Sequence, residues 1–122
     1  MANSRDFIDH VLELMRDSGA ATARAMFGGH GIYLDGTIVG IVVADVLYLK
    51  TDDETRPAFI AQGLGQFEYA TKTGKIQGTS YYQPPEDALE SRAAMRDWLR
   101  LALAAARRAA AKRGPSRTKQ AR

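Results

Sequence analysis

The sequence predicts an α/β domain of the α+β type, built as two layers: a mainly antiparallel sheet with helices packed on one face. Apolar residues recur at helical spacing near both ends of the 122-residue chain, at residues 7–15 and 91–112. Between them, short apolar and β-branched segments alternate with turn residues, which is typical of an antiparallel meander. A short helical segment at residues 52–61 interrupts the strands. The predicted order is therefore α-β-β-β-β-α-β-β-α.

The first helix is predicted to begin at Asn3 or Ser4, since either side chain can accept a hydrogen bond from an amide of the first turn. Ser18-Gly19 is predicted to end it. Six apolar residues of this segment recur at helical spacing and share one face; they are Phe7, Ile8, Val11, Leu12, Leu14 and Met15.

Four strands are predicted next, at residues 23–27, 31–34, 37–43 and 46–50. Asp35-Gly36 lies between the second and third, and this pair favours a two-residue hairpin turn in which both positions take positive φ. Ala44-Asp45 separates the third strand from the fourth.

A cluster of glycines precedes the second strand, at Gly28, Gly29 and Gly31. A dinucleotide cradle would need a helix after its glycines, whose amides face the phosphate. Strands lie on both sides here, so these glycines, with Asp35 and Gly36, are predicted to be structural turn residues. His30 within the cluster is predicted to be a solvent-exposed turn residue.

The second half of the chain is predicted to contain a short helix, a hairpin and a long helix. Asp52 or Asp53 begins the short helix and Gly63 closes it. Strands at 66–71 and 75–82 follow, joined by a turn in which Gly74 takes the left-handed position.

The long helix, from about Ser91 to Lys112, carries two adjacent apolar stripes. We expect the first stripe, which includes Trp98, to face the core. Either the helix lies between the sheet and the first helix, or its second stripe meets another copy in a homodimer. The first stripe is Leu89, Ala94, Trp98, Leu101, Ala102 and Ala105; the second is Met95, Leu99, Leu103 and Ala106.

Charge divides the chain unequally. Residues 1–97 hold all 14 acidic residues and 9 basic ones, whereas residues 98–122 hold 8 basic residues and no acid. We therefore predict a domain at 1–113 and a basic, disordered tail at 114–122, with Gly114-Pro115 ending the helix. The basic residues could bind a polyanion such as nucleic acid, or could simply be the solvated, dipole-complementing end of a helix. They are Arg107, Arg108, Lys112, Arg113, Arg117, Lys119 and Arg122.

The composition excludes several chemistries. The chain has no cysteine, which excludes a disulfide, a thiolate zinc site and a thiol nucleophile, and fits a cytoplasmic protein.

Neither a membrane-spanning segment nor a secretory signal is expected. His10 and His30 are the only histidines and have no partners at metal-site spacing, so no metal and no cofactor are predicted. The acidic clusters Asp52–Glu54 and Glu86-Asp87 fit helix starts better than catalytic pairs.

Aromatic residues are frequent in the predicted strands and could form a stacking platform for single-stranded bases. Tyr81 and Tyr82 are adjacent, so they must point to opposite faces. We therefore expect most of the rings to be core or cross-strand pairs. The strand-borne aromatic residues are Tyr33, Tyr48, Phe67, Tyr69, Tyr81 and Tyr82. Lys50 and Lys75 could reach an anionic ligand near Tyr48, but no nucleophile motif accompanies them.

Several sequence blocks, in order and at matching spacing, resemble the N-terminal domain of the TfoX/Sxy family. The resemblance covers roughly residues 7–106. Full-length members regulate natural competence and carry a second, C-terminal domain, which we expect this chain to lack. The blocks are Arg24–Gly36, Leu47–Lys50, Asp53–Phe59, Gly63–Tyr69 and Ser80–Glu86.

The resemblance and the absence of a catalytic motif together favour a non-enzymatic regulatory or protein-interaction module with an unknown protein partner. The alternative is a nucleic-acid-associated protein that binds through its basic helix end and tail. A third hypothesis is an enzyme acting on a small anion near His30 and Lys50.

Overall fold

The computed structural model of the chain describes residues 4–26 and 28–120, and the side chains among them as far as Lys112. It contains three helices, six strands and two short 3₁₀ segments in the predicted order. The helices are α1 (Arg5–Met15), α2 (Arg56–Ala61) and α3 (Arg92–Gln120), and the 3₁₀ segments are Arg16–Ser18 and Glu86–Leu89. The strands are β1 (Ala21–Met26), β2 (Gly29–Leu34), β3 (Thr37–Val43), β4 (Val46–Lys50), β5 (Gln66–Ala70) and β6 (Ile76–Tyr82).

The strands form one antiparallel sheet in the order β1-β2-β3-β4-β6-β5. The last hairpin joins the meander through β6, which pairs with β4 at only two positions, Leu49 with Tyr82 and Lys50 with Tyr81. Strand β5 is therefore an edge of the sheet. The α+β class and the antiparallel sheet are confirmed.

The helices pack on one face of this sheet. Helix α3 packs against β3 and β4, and α1 packs beside it against β1, so the two helices lie next to each other on the sheet. Helix α3 therefore does not lie between the sheet and the first helix, which was one of the two predicted alternatives. The core between these layers is built mainly from aliphatic side chains. Its fully buried members include Val11, Met15, Ile32, Leu34, Val39, Val42, Leu47, Leu49, Phe59, Met95 and Leu99.

Charged side chains tie the two long helices together on their solvent side. Arg92 of α3 pairs with Glu13 of α1 and with Asp17 in the turn that follows, and Arg96 also reaches Asp17. At the start of α1, Ser4 is the cap that the sequence predicted, since its Oγ accepts a hydrogen bond from the Phe7 amide at 3.1 Å.

The turn between β2 and β3 has the predicted geometry. Asp35 and Gly36 take φ values of +50° and +84°, which is the mirror-image turn that suits the twist of a hairpin. The Asp35 carboxylate also accepts a hydrogen bond from the Ala20 amide at 2.9 Å, so the turn is anchored to the start of β1.

Some predicted boundaries were wrong. Strand β2 begins at Gly29 instead of residue 31, because Gly29 pairs with Met26 and closes a tighter hairpin. Helix α2 begins at Arg56 instead of Asp52 or Asp53, because residues 52–55 form a hydrogen-bonded turn of their own. Helix α3 extends to Gln120, past its predicted end near Lys112, so the prediction that Gly114-Pro115 ends the helix was wrong. The helix continues because the alanine-rich residues before these two positions have high helix propensity. The division of the chain at residue 113 stays a prediction.

The prediction that the first stripe of α3 faces the core was only partly right. Ala102 and Ala105 of that stripe are fully buried, but so are Met95 and Leu99 of the second stripe, whereas Trp98 is only half-buried. Trp98 lies at the side of the helix, where its ring packs edge-on against Phe59 of α2 with 4.9 Å between ring centroids. The helix is thus rotated so that its smaller and more flexible side chains fill the centre of the core.

The Asp35-Gly36 turn yields a test of the hairpin. Replacing Gly36 with Val should destabilise the domain by about 1–2 kcal/mol, because a β-branched side chain is strained at positive φ. No neighbouring atom lies within 4 Å of the position of an added Cβ, so the cost is one of backbone conformation alone. Thermal denaturation measures it. Gly36→Asn is the control, since Asn tolerates this conformation; equal midpoints for the two variants would contradict the turn assignment.

Candidate functional site

The sheet has a second face, opposite the helices, and its composition differs from that of the core. Residues directly opposite each other on antiparallel strands share a face. The pairings Arg24 with Gly31, Gly31 with Ile41, and Ile41 with Tyr48 therefore trace one line across β1 to β4 on this side. Their neighbours in sequence, such as Ile32 and Leu47, point into the core. We call this side the outer face.

Four of the strand-borne tyrosines and one phenylalanine lie on the outer face. Tyr33 is two residues after Gly31, Lys50 is two after Tyr48, and Lys50 pairs with Tyr81, so all of these share the same side. Tyr82 points the other way and is buried in the core, which confirms that Tyr81 and Tyr82 face opposite directions. The outer-face aromatic residues are Tyr33, Tyr48, Phe67, Tyr69 and Tyr81.

Three of the rings form a continuous row. The centroids of Tyr48 and Phe67 are 5.1 Å apart, and those of Phe67 and Tyr69 are 6.4 Å apart with the two ring planes 29° from parallel. Tyr69 lies on the edge strand β5 and is 48% exposed, which is a large exposed fraction for an aromatic side chain. We call Tyr48, Phe67 and Tyr69 the aromatic row.

The sheet is curled around the outer face. Phe67 of β5 lines a cavity of about 140 Å³ together with Ile41 and Val43 of β3 and with Met26 and Gly29 at the β1–β2 hairpin. In a flat sheet β3 and β5 would be roughly 14 Å apart, because two strands lie between them. That spacing is too large for one cavity of this size. The outer face is therefore concave, and the last hairpin bends over it.

Two basic side chains lie against tyrosine rings of this face. The guanidinium carbon of Arg24 is 5.7 Å from the centroid of Tyr33, and Nζ of Lys50 is 5.3 Å from that of Tyr81. Burial, with a smaller contribution from Tyr33, raises the pKa of the Tyr81 phenol above the usual tyrosine value. The phenol therefore stays protonated, and can donate a hydrogen bond, throughout the physiological pH range.

Acidic side chains are nearly missing from the strands. Glu68 is the one carboxylate within the six described strands, and it lies between Phe67 and Tyr69, so it points away from the outer face. The outer face therefore has positive charge, although residues 1–97 as a whole are acidic.

The glycine cluster has the predicted turn role only in part. Gly28 has a positive φ of 77° and lies in the β1–β2 turn, whereas Gly29 and Gly31 are part of β2. A Cβ at Gly31 would lie 2.8 Å from Cε of Met26 and 3.1 Å from Cε1 of Tyr33. Glycine at this position therefore leaves room for the side chains of Met26 and Tyr33 to pack against the backbone of β2.

Both histidines belong to the packed domain. His30 is a half-buried strand residue of β2, so the prediction of an exposed turn residue was wrong. Nε2 of His10 is hydrogen-bonded to the backbone oxygen of Leu89 at 2.6 Å, which links α1 to the segment before α3. Within residues 4–26 and 28–120, no three histidine, aspartate or glutamate side chains are grouped as a metal ion would require.

A second depression of about 420 Å³ lies between the end of β4 and helix α3. Its centre is an ion pair in which Arg108 donates two hydrogen bonds to Asp52, from Nε at 2.6 Å and from an Nη at 3.0 Å. Asp52 also accepts the amides of Glu54 and Thr55. These bonds, that of Arg108 first, hold the pKa of Asp52 well below its usual range, and the same bond raises the pKa of Arg108.

This ion pair changes the interpretation of the basic residues at the end of α3. Arg108 is half-buried and pairs with both Asp52 and Glu54, so it acts as an anchor for the turn before α2. Arg107 and Lys112 are exposed, and Lys112 lines the depression. The remaining four predicted polyanion-binding residues have side chains outside the described part; they are Arg113, Arg117, Lys119 and Arg122.

The other candidate residues lie apart from each other. Glu86 and Asp87 lie in the first turn of a 3₁₀ segment, as predicted for helix-start residues. Lys75 is exposed in the turn before β6, and Lys50 is on the outer face against Tyr81. The pairings from Arg24 to Tyr48, traced through the Asp35-Gly36 turn, are enough to put Tyr33 and Tyr48 on one side of the sheet. The rings of Phe67 and Tyr69 come from another hairpin, and no pattern within the first hairpin brings them beside Tyr48.

The site thus defines a class of protein: an α+β domain whose helices cover one face of a curled antiparallel sheet and leave an aromatic, basic face open. Comparison with known families identifies it further. The TfoX N-terminal domain matches residues 13–106, and the chain belongs to that family. No curated protein matches the chain. Among the helices that the structure describes, none is long and apolar enough to span a membrane.

The Asp52–Arg108 pair yields a prediction about pH. Asp52→Asn should lower the thermal midpoint at neutral pH, because Arg108 loses its charged partner. The folded-state pKa of Asp52 lies below its ordinary value of 3.8, so its contribution to stability is present above that value and is lost as the pH falls below it. The difference in midpoint between the variant and the wild type should therefore narrow from pH 6 to pH 3.

Asp97→Asn provides the control for this measurement. Asp97 pairs with Arg100 one turn further along α3, but both side chains are about 70% exposed, and such pairs contribute little. If Asp52→Asn and Asp97→Asn had equal effects at neutral pH, the anchoring role of Asp52 would be refuted.

Proposed function

We propose that the domain is a non-enzymatic regulatory module that acts by binding a macromolecular partner on its outer face. The observation that carries this proposal is the contrast between the two sides of the sheet. One side is covered by α1, α2 and α3, whereas the other presents the aromatic row in a concave, basic surface. Open aromatic surfaces bounded by polar groups are typical of binding sites.

The roles of the titratable side chains support a binding function over an enzymatic one. His10 links α1 to the rest of the helical layer, Asp52 holds Arg108, and Glu13 holds Arg92. Each of these groups thus has a structural partner that orients it for packing. The cavity of the outer face is lined by the ring of Phe67, by the side chains of Met26, Ile41 and Val43, by Gly29 and by His30. His30 is the one titratable side chain among them, and none of these residues carries a hydroxyl or thiol nucleophile.

Family membership fits a regulatory role. Two-domain TfoX/Sxy proteins regulate competence, and we extend to this chain only the regulatory class of that activity. A bacterial cytoplasmic setting belongs to the same proposal and rests on the family resemblance.

A second candidate function is polyanion binding through the end of α3. It is favoured by the exposure of Arg107 and Lys112, which, among the side chains described at this end of the helix, are the two cations not held by Asp52. Truncation after Ala106 would not be a clean test, because it would also remove the Arg108 anchor. Truncation after Lys112 keeps that anchor and removes only the more distal basic residues.

Photo-crosslinking in the native host cells tests the proposed function. A photoreactive phenylalanine analogue would replace Tyr69 on the outer face or, as a matched control, Ile60 on α2; the two side chains are 48% and 57% exposed. We expect a crosslinked species of higher mass from position 69 and none from position 60. Crosslinking from both positions alike, or from position 60 alone, would place the partner elsewhere and refute the proposal.

A further inference from the structure

We propose that the partner of the outer face is single-stranded nucleic acid, with bases stacked on the aromatic row and phosphates held by Arg24 and Lys50. This inference rests on the proposed function, because it takes the outer face to be the binding surface. Three properties of that face carry it: the geometry of the rings, the sign of the charge and the shape of the surface.

The ring geometry suits bases. Nucleotide bases stack on aromatic side chains irrespective of their sequence, since every base has a π-face. The ring planes of Phe67 and Tyr69 are close to parallel, and the ring of Tyr48 also contacts that of Phe67. Tyr69 at the exposed end of the row is the ring on which a base can stack with the least rearrangement.

The charge suits phosphates. Arg24 on β1 is exposed and Lys50 on β4 is half-buried, and both belong to the outer face. The one strand carboxylate, Glu68, points to the other side of the sheet. A polyanion is therefore attracted to the strands of the outer face, and, among the described residues, carboxylates lie near it only beyond the end of β4, where Lys50 borders the depression that contains Asp52, Asp53 and Glu54.

The shape selects a single strand over a duplex. In a duplex the bases are stacked on each other inside the helix, so the rings of a concave protein surface cannot reach their faces. An unpaired strand can turn its bases into the concave face while its backbone stays near Arg24 and Lys50. Tyr33 and Tyr81, which lie beneath these two cations, add phenol groups that can donate hydrogen bonds to phosphate or base oxygens.

The test is fluorescence anisotropy with the full chain and a labelled oligothymidylate of roughly 12 nucleotides, a length within the range that known single-strand-binding domains cover. Oligouridylate and a duplex of the same length form the other arms, which distinguish DNA from RNA and single from double strands. We expect binding of one or both single strands and at least tenfold weaker binding of the duplex. With two phosphates neutralised, the plot of log K against log salt should have a slope of about −1.4.

Substitutions locate the binding site. Tyr69→Leu keeps an apolar side chain but removes the ring, and should weaken single-strand binding by about tenfold. Arg24→Gln should weaken it and reduce the salt slope by about 0.7. Arg100→Gln on the opposite layer is the matched control and should leave the affinity unchanged, since this arginine is exposed on α3. Thermal midpoints establish that each variant is folded.

The outcomes separate this inference from the proposed function. Affinity that survives Tyr69→Leu and Arg24→Gln, or that is lost only on truncation after Lys112, would overturn the inference and favour the helix end. Equal binding of duplex and single strand would also overturn it. If position 69 crosslinks in cells to a species that nuclease does not shorten, the outer face binds a protein; the proposed function then survives and this inference fails.

Discussion

The antiparallel register of β2, β3 and β4 is the constraint on which the rest of the structure depends. Side chains alternate along a strand, so a slip of one residue would exchange the two faces of the sheet. The Asp35-Gly36 turn joins β2 to β3 and fixes the register of these two strands at that end. A shift in pairing after Ile32 gives β3 one extra residue, Val39, which is fully buried. The bulge keeps aliphatic side chains toward the helices on both sides of the irregularity.

Once that register is set, the sheet has one aliphatic face and one aromatic face, and the helical layer follows. Helix α3 covers the aliphatic face with Met95 and Leu99, and α1 closes it from the side. Ion pairs then hold the helices at their ends. Arg92 links α3 to α1, and Arg108 links the other part of α3 to the turn before α2. Each pair joins residues far apart in sequence, so the two pairs fix how α3 lies against α1 and against the turn before α2.

Local patterns were enough to predict much of the fold. Helical spacing placed α1, and alternation with turn residues placed the strands, because both depend only on neighbours along the chain. The stripe of α3 that meets the core depends on how the helix is rotated against β3 and β4, which no local pattern records. Trp98 was misplaced for that reason. The start of α2 was predicted too early because Asp52 was assigned to a helix cap, whereas its carboxylate is shared between a turn and Arg108, 56 residues away.

The candidate site was harder to predict than the fold. The rings of Tyr48, Phe67 and Tyr69 come from two hairpins that meet only through the short pairing of β4 with β6. The alternation of side chains along each strand determines which rings share a face within one hairpin. The curl of the sheet decides whether rings from different hairpins touch. The charge of the face could have been predicted, since Glu68 alternates with the two rings beside it. Its concave shape could not, because it depends on twist accumulated over six strands.

The central claim is that four of the five tyrosines share one open face while Tyr82 alone lies in the core. Fluorine NMR of the chain labelled with 3-fluorotyrosine, with a soluble paramagnetic compound added, measures this directly. We expect the resonance of Tyr69 to be broadened most, those of Tyr33, Tyr48 and Tyr81 to be broadened to a smaller degree, and the resonance of Tyr82 to be unaffected. Broadening of Tyr82 as strong as that of Tyr69, or protection of the four outer-face tyrosines as complete as that of Tyr82, would contradict it.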